Sequence, residues 1–292
     1  MRLTIARIFK FLFTISFFRK RYYGFVFRIF QPLNLFRGVT QVSSYDQDLK
    51  MKLDLDEWIQ QHIYFLGYFD PAGIKFIKNQ LYEGAVFIDI GANVGSYSLV
   101  ASKLVGRSGK VIAFEPASKS FLRLSKNISM NGLRNIIAER KAVLDRNTRT
   151  DLYIAGNHNL GMSSIFHHDS ESGITENVET VTLDDYIERH GISQINIIKI
   201  DIEGSEIFAL KGMQRILERT HPKILIELKE ETIIHSGYQE KNIVDFLVNA
   251  GYNKFIIDEQ GNISGDVTRQ PENYHNFLFI PADSDSSSDL DN

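Results

Sequence analysis

From residue 85 onward the chain alternates short apolar runs with helix-forming stretches, and this alternation constrains the fold more than any other feature. AVFIDI (85–90) has the length and branched content of a buried strand. GANVG follows it, and a helix is expected over 96–104. KVIAFEP gives a second strand ending at Glu115, with a helix over 119–130, and NIIAERKAV (135–143) gives a third strand. NIIKID (196–201) is the fourth, followed by a helix over 205–217, and KILIEL (223–228) is the fifth. A helix over 240–250 and late strands near 254–257 and 277–280 complete the pattern. Strands separated by helices imply right-handed crossovers. The expected fold is therefore α/β, a Rossmann-like, doubly wound and mostly parallel sheet. Residues 150–182 break the rhythm, because DLYIA and VETVTL read as an antiparallel insert around a polar loop.

Four segments follow from this reading: a basic amphipathic start (1–37), a helical lead-in (38–84), the α/β domain (85–282) and an acidic tail (283–292) expected to be disordered. The lead-in should hold helices over 54–63 and 72–80, separated by the Asp70-Pro71 turn. In the first segment Arg2, Arg7, Lys10, Arg19, Lys20, Arg21, Arg28 and Arg37 meet no acidic residue. Ile5, Ile8, Phe9 and Leu12 recur at helical spacing, with Arg7, Lys10 and Thr14 expected on the opposite face. The uncharged run between Lys10 and Arg19 is shorter than the roughly 20 residues that span a bilayer. Lys10 also interrupts a signal-like stretch that has no small-residue cleavage site. An amphipathic helix lying on an anionic membrane and a helix packed on its own domain or on a partner both fit. The expected location is cytoplasmic, with membrane association at the cytoplasmic face as an option.

Net charge is −3, so the chain has no global attraction for nucleic acid, and no nucleic-acid partner is expected. There are no cysteines, which excludes disulfides, thiolate zinc sites and cysteine nucleophiles.

Open parallel sheets bind ligands beyond the carboxyl ends of their strands, and the chemically informative residues all fall there. Asp89, Gly91, Ala92, Asn93 and Gly95 follow the first strand, and Glu115-Pro116 ends the second. Glycines at 91 and 95 permit a tight turn and close approach of a ligand. A carboxylate at 115 can accept hydrogen bonds from both hydroxyls of a ribose. A dinucleotide site expects GxGxxG for its pyrophosphate, whereas this loop reads G-A-N-V-G and has Asp89 beside it. An acid there suits S-adenosylmethionine, whose methionine end carries an ammonium and a sulfonium. After the fourth strand, IIKIDIEGSE places Asp201, Glu203 and Glu206 within six positions around Gly204. Helix capping needs only one or two acids, so these are candidates to face an acceptor.

FIDIGANVGSYSL, VIAFEP, VTLDDY, IKIDIEGSE, LKGM and PKILIE, in this order, resemble the FkbM family of methyltransferases. The resemblance covers about residues 69–250. It implies a class I methyltransferase fold and methyl transfer from S-adenosylmethionine, usually to a hydroxyl oxygen of a sugar, glycan, lipid-linked sugar or polyketide-like product. Carried over by position, Asp89, Gly91, Asn93 and Gly95 would line the methionine and ribose end, and Glu115 would hold the ribose hydroxyls. Ala142 and Val143 would lie near the adenine, and Asp201 and Glu203 would face the transfer site. The family often has a glutamate where this chain has Asp70.

An alcohol is a weak nucleophile and needs a base within hydrogen-bond reach or a metal that lowers its pKa. Asp201, Glu203 and Glu206 are candidates for either service, and His235, in the loop after the fifth strand, is a further candidate base. A divalent ion is an option without direct support. Glu227 has an ion pair with Lys199 or Lys223 as its structural alternative, and adjacent His167-His168 diverge too far to share a metal. Other functions fit less well. A nicotinamide-dependent oxidoreductase would share the fold but not the glycine pattern. A non-enzymatic membrane-associated binding protein would not need ligand-facing residues at every strand end. The expected partner is a small-molecule or glycan acceptor.

Overall fold

The computed structural model describes residues 1–156, 160–166, 171–265 and 275–282. The acidic tail and His167-His168 lie outside the described residues.

The chain opens with a layer of short helices: α1 (Arg2–Leu12), α2 (Ser16–Arg19), α3 (Tyr22–Phe25) and a π-helical turn (Val26–Phe30). The hairpin β1 (Thr40–Tyr45) and β2 (Leu49–Asp54) follows, then α4 (Trp58–Leu66) and α5 (Pro71–Gln80). The lead-in is thus not wholly helical. Leu49, Met51 and Leu53 are buried while Lys50 and Lys52 are exposed, a period-two pattern that makes a strand. Asp70 caps α5 by accepting from the Gly73 N–H at 3.0 Å, with Pro71 at the first helical position.

The central sheet contains β3 (Val86–Ile90), β4 (Lys110–Phe114), β5 (Ile136–Glu139), β9 (Ile197–Ile200) and β10 (Lys223–Glu227), with β11 (Tyr252–Ile257), β12 (Ile263–Ser264) and β13 (Asn276–Pro281). Its order is β12-β11-β13-β10-β9-β3-β4-β5. The five strands from β10 to β5 pair in parallel, and β13 enters antiparallel between β10 and β11. This is the Rossmann-like class I methyltransferase arrangement expected from the sequence. The run 135–143 is two strands rather than one. β5 stays in the central sheet, while β6 (Lys141–Val143) joins a second sheet with β7 (Thr148–Ala155) and β8 (Glu171–Val181), in the order β6-β8-β7. β7 and β8 are the antiparallel insert.

Alternation along each strand divides the core. Phe87, Val111, Ile197, Leu225 and Leu278 face α4, α5 and α6 (Ser96–Val105). Ile88, Ile112, Ile198, Ile224 and Phe279 face the other way, toward α8 (Leu183–Arg189), α9 (Glu206–Lys211), α10 (Gln214–Arg219), α11 (Glu230–Ile233) and α12 (Glu240–Asn249). α7 (Ser118–Met130) covers β4 through Leu124 and Ala113. The expected helix over 205–217 divides at Gly212, where a Cβ would lie 2.0 Å from the Leu144 carbonyl oxygen.

The first 37 residues share the core of the first face. Phe13, Tyr22, Phe30 and Phe36 are buried, and the rings of Phe13 and Phe30 lie 5.4 and 5.6 Å from that of Phe65 on α4. The expected face of α1 is corrected. Lys10 turns inward, donating to Ser43 Oγ at 2.6 Å beneath the Tyr64 ring, while Ile8 and Phe11 turn outward. Burying the Phe9–Phe13 side leaves the other apolar row exposed, because α1 is apolar on two faces. No helix among the described residues is long and apolar enough to cross a membrane.

Candidate active site

At the carboxyl ends of β3, β4, β9 and β10 the loops enclose a cleft of about 960 Å³, counted out to its open mouth. A neighbouring recess shares Gly91, Asn93, Asp201 and Glu227 with it.

Backbone contacts set the floor. Gly91 has φ +84°, and a Cβ there would lie 1.9 Å from the Asp201 carbonyl oxygen, so the loops after β3 and β9 touch with no side chain between them. Asn93, at φ +50°, turns its N–H onto Glu115 Oε2 at 2.8 Å, and the Ala117 N–H donates to Glu115 Oε1 at 2.9 Å. Burial nevertheless pushes the Glu115 carboxyl up to about 7. Ala92 lines the recess, while Pro116, Ala142 and Val143 line the far end of the cleft. Gly95 does not line either space. Its left-handed φ starts α6, and its Cα packs under Leu124.

Strand register brings opposite charges together: Asp89 on β3 lies directly beside Lys199 on β9. Both are buried, with Asp89 1% exposed and Lys199 5%. Ser98 donates to Asp89 Oδ2 at 2.5 Å, and burial raises the Asp89 carboxyl although Lys199 opposes it. Lys199 donates to Asp201 Oδ2 at 3.1 Å and lies 4.9 Å from the centre of the Tyr97 ring. Burial works against ionisation of Asp201, but Lys199 and Lys229 outweigh it and hold the carboxyl down at about 2.

Glu203, at φ +49°, turns back into the cleft and is 7% exposed. Its Oε1 accepts from Lys229 at 3.2 Å, and its Oε2 has no partner among the described residues. Burial raises it to about 7, with Lys229 pulling the other way. Glu227 meets Lys229 at 2.8 Å and is pushed well above the usual carboxylate range, first by burial and then by the charge of Asp201.

Two candidates are not brought to the cleft. Glu206 turns its Oε1 onto the Gly204 N–H at 3.0 Å and holds the turn after β9. His235 lies in an exposed turn (Ile234–Ser236) away from the lining. Conversely, the sequence reading missed Lys229 and gave Lys199 no role in the site. A lysine inside the fully buried strand IIKI was a usable signal, since a buried ammonium needs carboxylate partners. Lys229 carried none, because a lysine after a strand is ordinarily solvated.

Asp89, Asp201, Glu203 and Glu227 thus gather around Lys199 and Lys229. The ionised Asp201, the twice-anchored Glu115 and the Cβ-less floor at Gly91 fit S-adenosylmethionine, whose methionine end is cationic. Oxygens of Asp201, Glu203 and Glu227 also lie within 4.8 Å of one another, the spacing of a cation site. However, Lys229 already bonds two of those carboxylates and Lys199 the third, so a dication there would have to displace an ammonium.

Known proteins agree with this reading. The methyltransferase FkbM domain matches residues 89–254. Hexuronic acid methyltransferase AglP of Haloferax volcanii is 26% identical over 180 residues, covering 61% of this chain and 67% of its own. A probable cobalt-precorrin-6B C(15)-methyltransferase of Sulfolobus acidocaldarius is 39% identical over 59 residues, covering 20% of this chain and 31% of its own. The crystal structure of methyltransferase FkbM from Methylobacillus flagellatus superposes with a TM-score of 0.46 at 16% identity, covering 72% of this chain and 47% of that one. The strand order, rather than that superposition, carries the fold assignment. With more than half of its length matched, the chain belongs to the FkbM methyltransferase domain family and is an S-adenosylmethionine-dependent methyltransferase.

Proposed function

We propose that the chain methylates a hydroxyl oxygen of a sugar or glycan, with Glu203 as the general base. One observation carries the assignment of the base: a buried carboxylate in the cleft with an unpartnered oxygen and a pKa near 7. A base of that strength is half ionised at neutral pH and can take a proton from an alcohol as its oxygen is alkylated. Asp201, held near 2, is too weakly basic for that task and instead fixes Lys199. Lys229 bridges Glu203 and Glu227 and keeps the base oriented. S-adenosylmethionine supplies a methyl group on a sulfonium. By the family resemblance Glu115 would hold its ribose, Asp89 and Asn93 would bound its methionine end, and Ala142 and Val143 would flank its adenine. The name of the Haloferax volcanii relative supports a sugar as acceptor.

Methyl transfer from labelled S-adenosylmethionine to uronic-acid and neutral oligosaccharides tests this reading. An alkali-stable methyl ether on the wild-type product, greatly reduced for Glu203→Gln and unaffected by a chelator, is the expected result. An alkali-labile methyl ester would refute a hydroxyl acceptor, and loss of activity with chelator, restored by a divalent ion, would replace the direct base with a metal.

A further inference from the structure

The helical layer at the start of the chain has an apolar outer face that its own fold leaves uncovered. Its inner side is complete: Phe13, Tyr22, Val26 and Phe30 are all at most 2% exposed. Outside, Ile8, Phe11, Ile15, Phe17, Phe27 and Leu33 are 44–68% exposed. Ile8, Phe11 and Ile15 are three and four positions apart, so they form one row along α1 and its end. Isolated exposed apolar side chains are ordinary, but a patch of large ones on one short segment marks an interaction surface.

Charge selects the partner. The same segment carries eight basic residues and no acid. Arg7, Arg19, Lys20, Arg21 and Arg28 are exposed among the apolar side chains. The Arg21 guanidinium stacks 3.8 Å above the Phe17 ring, and a shallow, open groove floored by Phe25 and Ile29 runs between Arg21 and Arg28. A guanidinium stacked on a protruding phenylalanine, as Arg21 is on Phe17, matches a phosphate above an acyl layer. We infer that this face docks on an anionic lipid bilayer, with Phe11, Phe17 and Phe27 entering the interface and the arginines binding lipid phosphates.

The docked face adjoins the cleft. The Tyr23 ring lies 6.4 Å from that of Trp58, its hydroxyl is 3.4 Å from His62 Nε2, and Trp58 lines the cleft wall. The docking segment is thus in contact with a residue of the cleft wall, and a sugar carried on a lipid is the acceptor class this surface would deliver; that last step rests on the function proposed above.

Deleting the segment would strip Phe13 and Tyr22 from the core, so the test uses the exposed residues. The full chain is sedimented with vesicles of phosphatidylcholine alone or with one part phosphatidylglycerol in four, without cofactor. Binding to the anionic vesicles that weakens with salt is expected, together with a loss of about 100-fold in partition for Phe11→Ser/Phe17→Ser/Phe27→Ser at unchanged melting temperature. The triple variant should methylate a soluble sugar at the wild-type rate and a vesicle-anchored one much more slowly. Absence of binding to anionic vesicles, or equal binding by the variant, overturns the docking. A wild-type dimer that becomes monomeric in the variant, with no vesicle binding in either, would assign the face to a second copy instead. Docking without preference for the anchored sugar would overturn only the acceptor class.

Discussion

Glu203→Gln should make the protein more stable and less active, and the size of both effects follows from the site. Burial moves the carboxyl from 4.5 to about 7, and at ~1.36 kcal/mol per unit this amounts to about 3 kcal/mol. The native pKa is raised, so the protonated native form is favoured below the unfolded value. That advantage is lost as pH rises through about 7, above which the fold holds a poorly solvated carboxylate. A neutral amide of the same shape avoids this cost. It also weakens the contact with Lys229, which keeps Glu227 as a partner, so the net gain at pH 8 should be about 1–3 kcal/mol. The gain should fade as pH is lowered toward 4.5. Activity should fall ~10²–10⁴-fold, and kcat/KM of the wild type should rise with pH through about 7 while the variant's profile stays flat. Urea unfolding at pH 5 and pH 8, with labelled-methyl transfer across the same range, measures both. A variant less stable than wild type at pH 8, or one retaining activity within about threefold, would refute the reasoning.

Gly91→Ala forces a Cβ onto the Asp201 carbonyl oxygen at a positive φ, so it should cost about 3 kcal/mol or more and abolish the heat of S-adenosylhomocysteine binding in calorimetry. Lys199→Met takes from Asp89 its cross-strand partner and leaves Asp201 with Lys229 alone, and thermal unfolding at pH 7 should show a loss of about 3–5 kcal/mol that narrows in acid. His235→Ala should leave kcat within about twofold and stability within ~0.5 kcal/mol, because the side chain is exposed and away from the cleft.

The strands that carry the site were legible because their central residues are buried. VFIDI, KVIAF, IIKI and KILIE are short apolar runs, and the loops beyond them could be placed by topology alone. The break between β5 and β6 was not legible, since Arg140 redirects the chain with neither glycine nor proline to mark it. The hairpin before α4 was missed for a similar reason. Its turn uses Asp46 and Gln47 at φ +42° and +67°, without the glycine that usually announces such a turn, although the alternation Leu49, Met51, Leu53 was there to be read. Asp201 and Glu203 are neighbours of identical charge type in sequence, yet one is held near 2 and the other near 7. The difference lies in Lys199 and Lys229, whose partners are decided only by packing.

The contact of Gly91 with the Asp201 carbonyl is repeated one loop further on, where a Cβ at Gly204 would lie 2.4 Å from the carbonyl oxygen of Thr232. Main chain thus rests on main chain at two consecutive crossings that join three loops, with no side chain between them. Changes in what the enzyme accepts must come from parts that overhang this pavement, such as Trp58, Ile59 and Phe69 on one side and Ile165 on the other. Substitution at those overhanging positions would alter what the cleft admits while leaving its backbone floor in place.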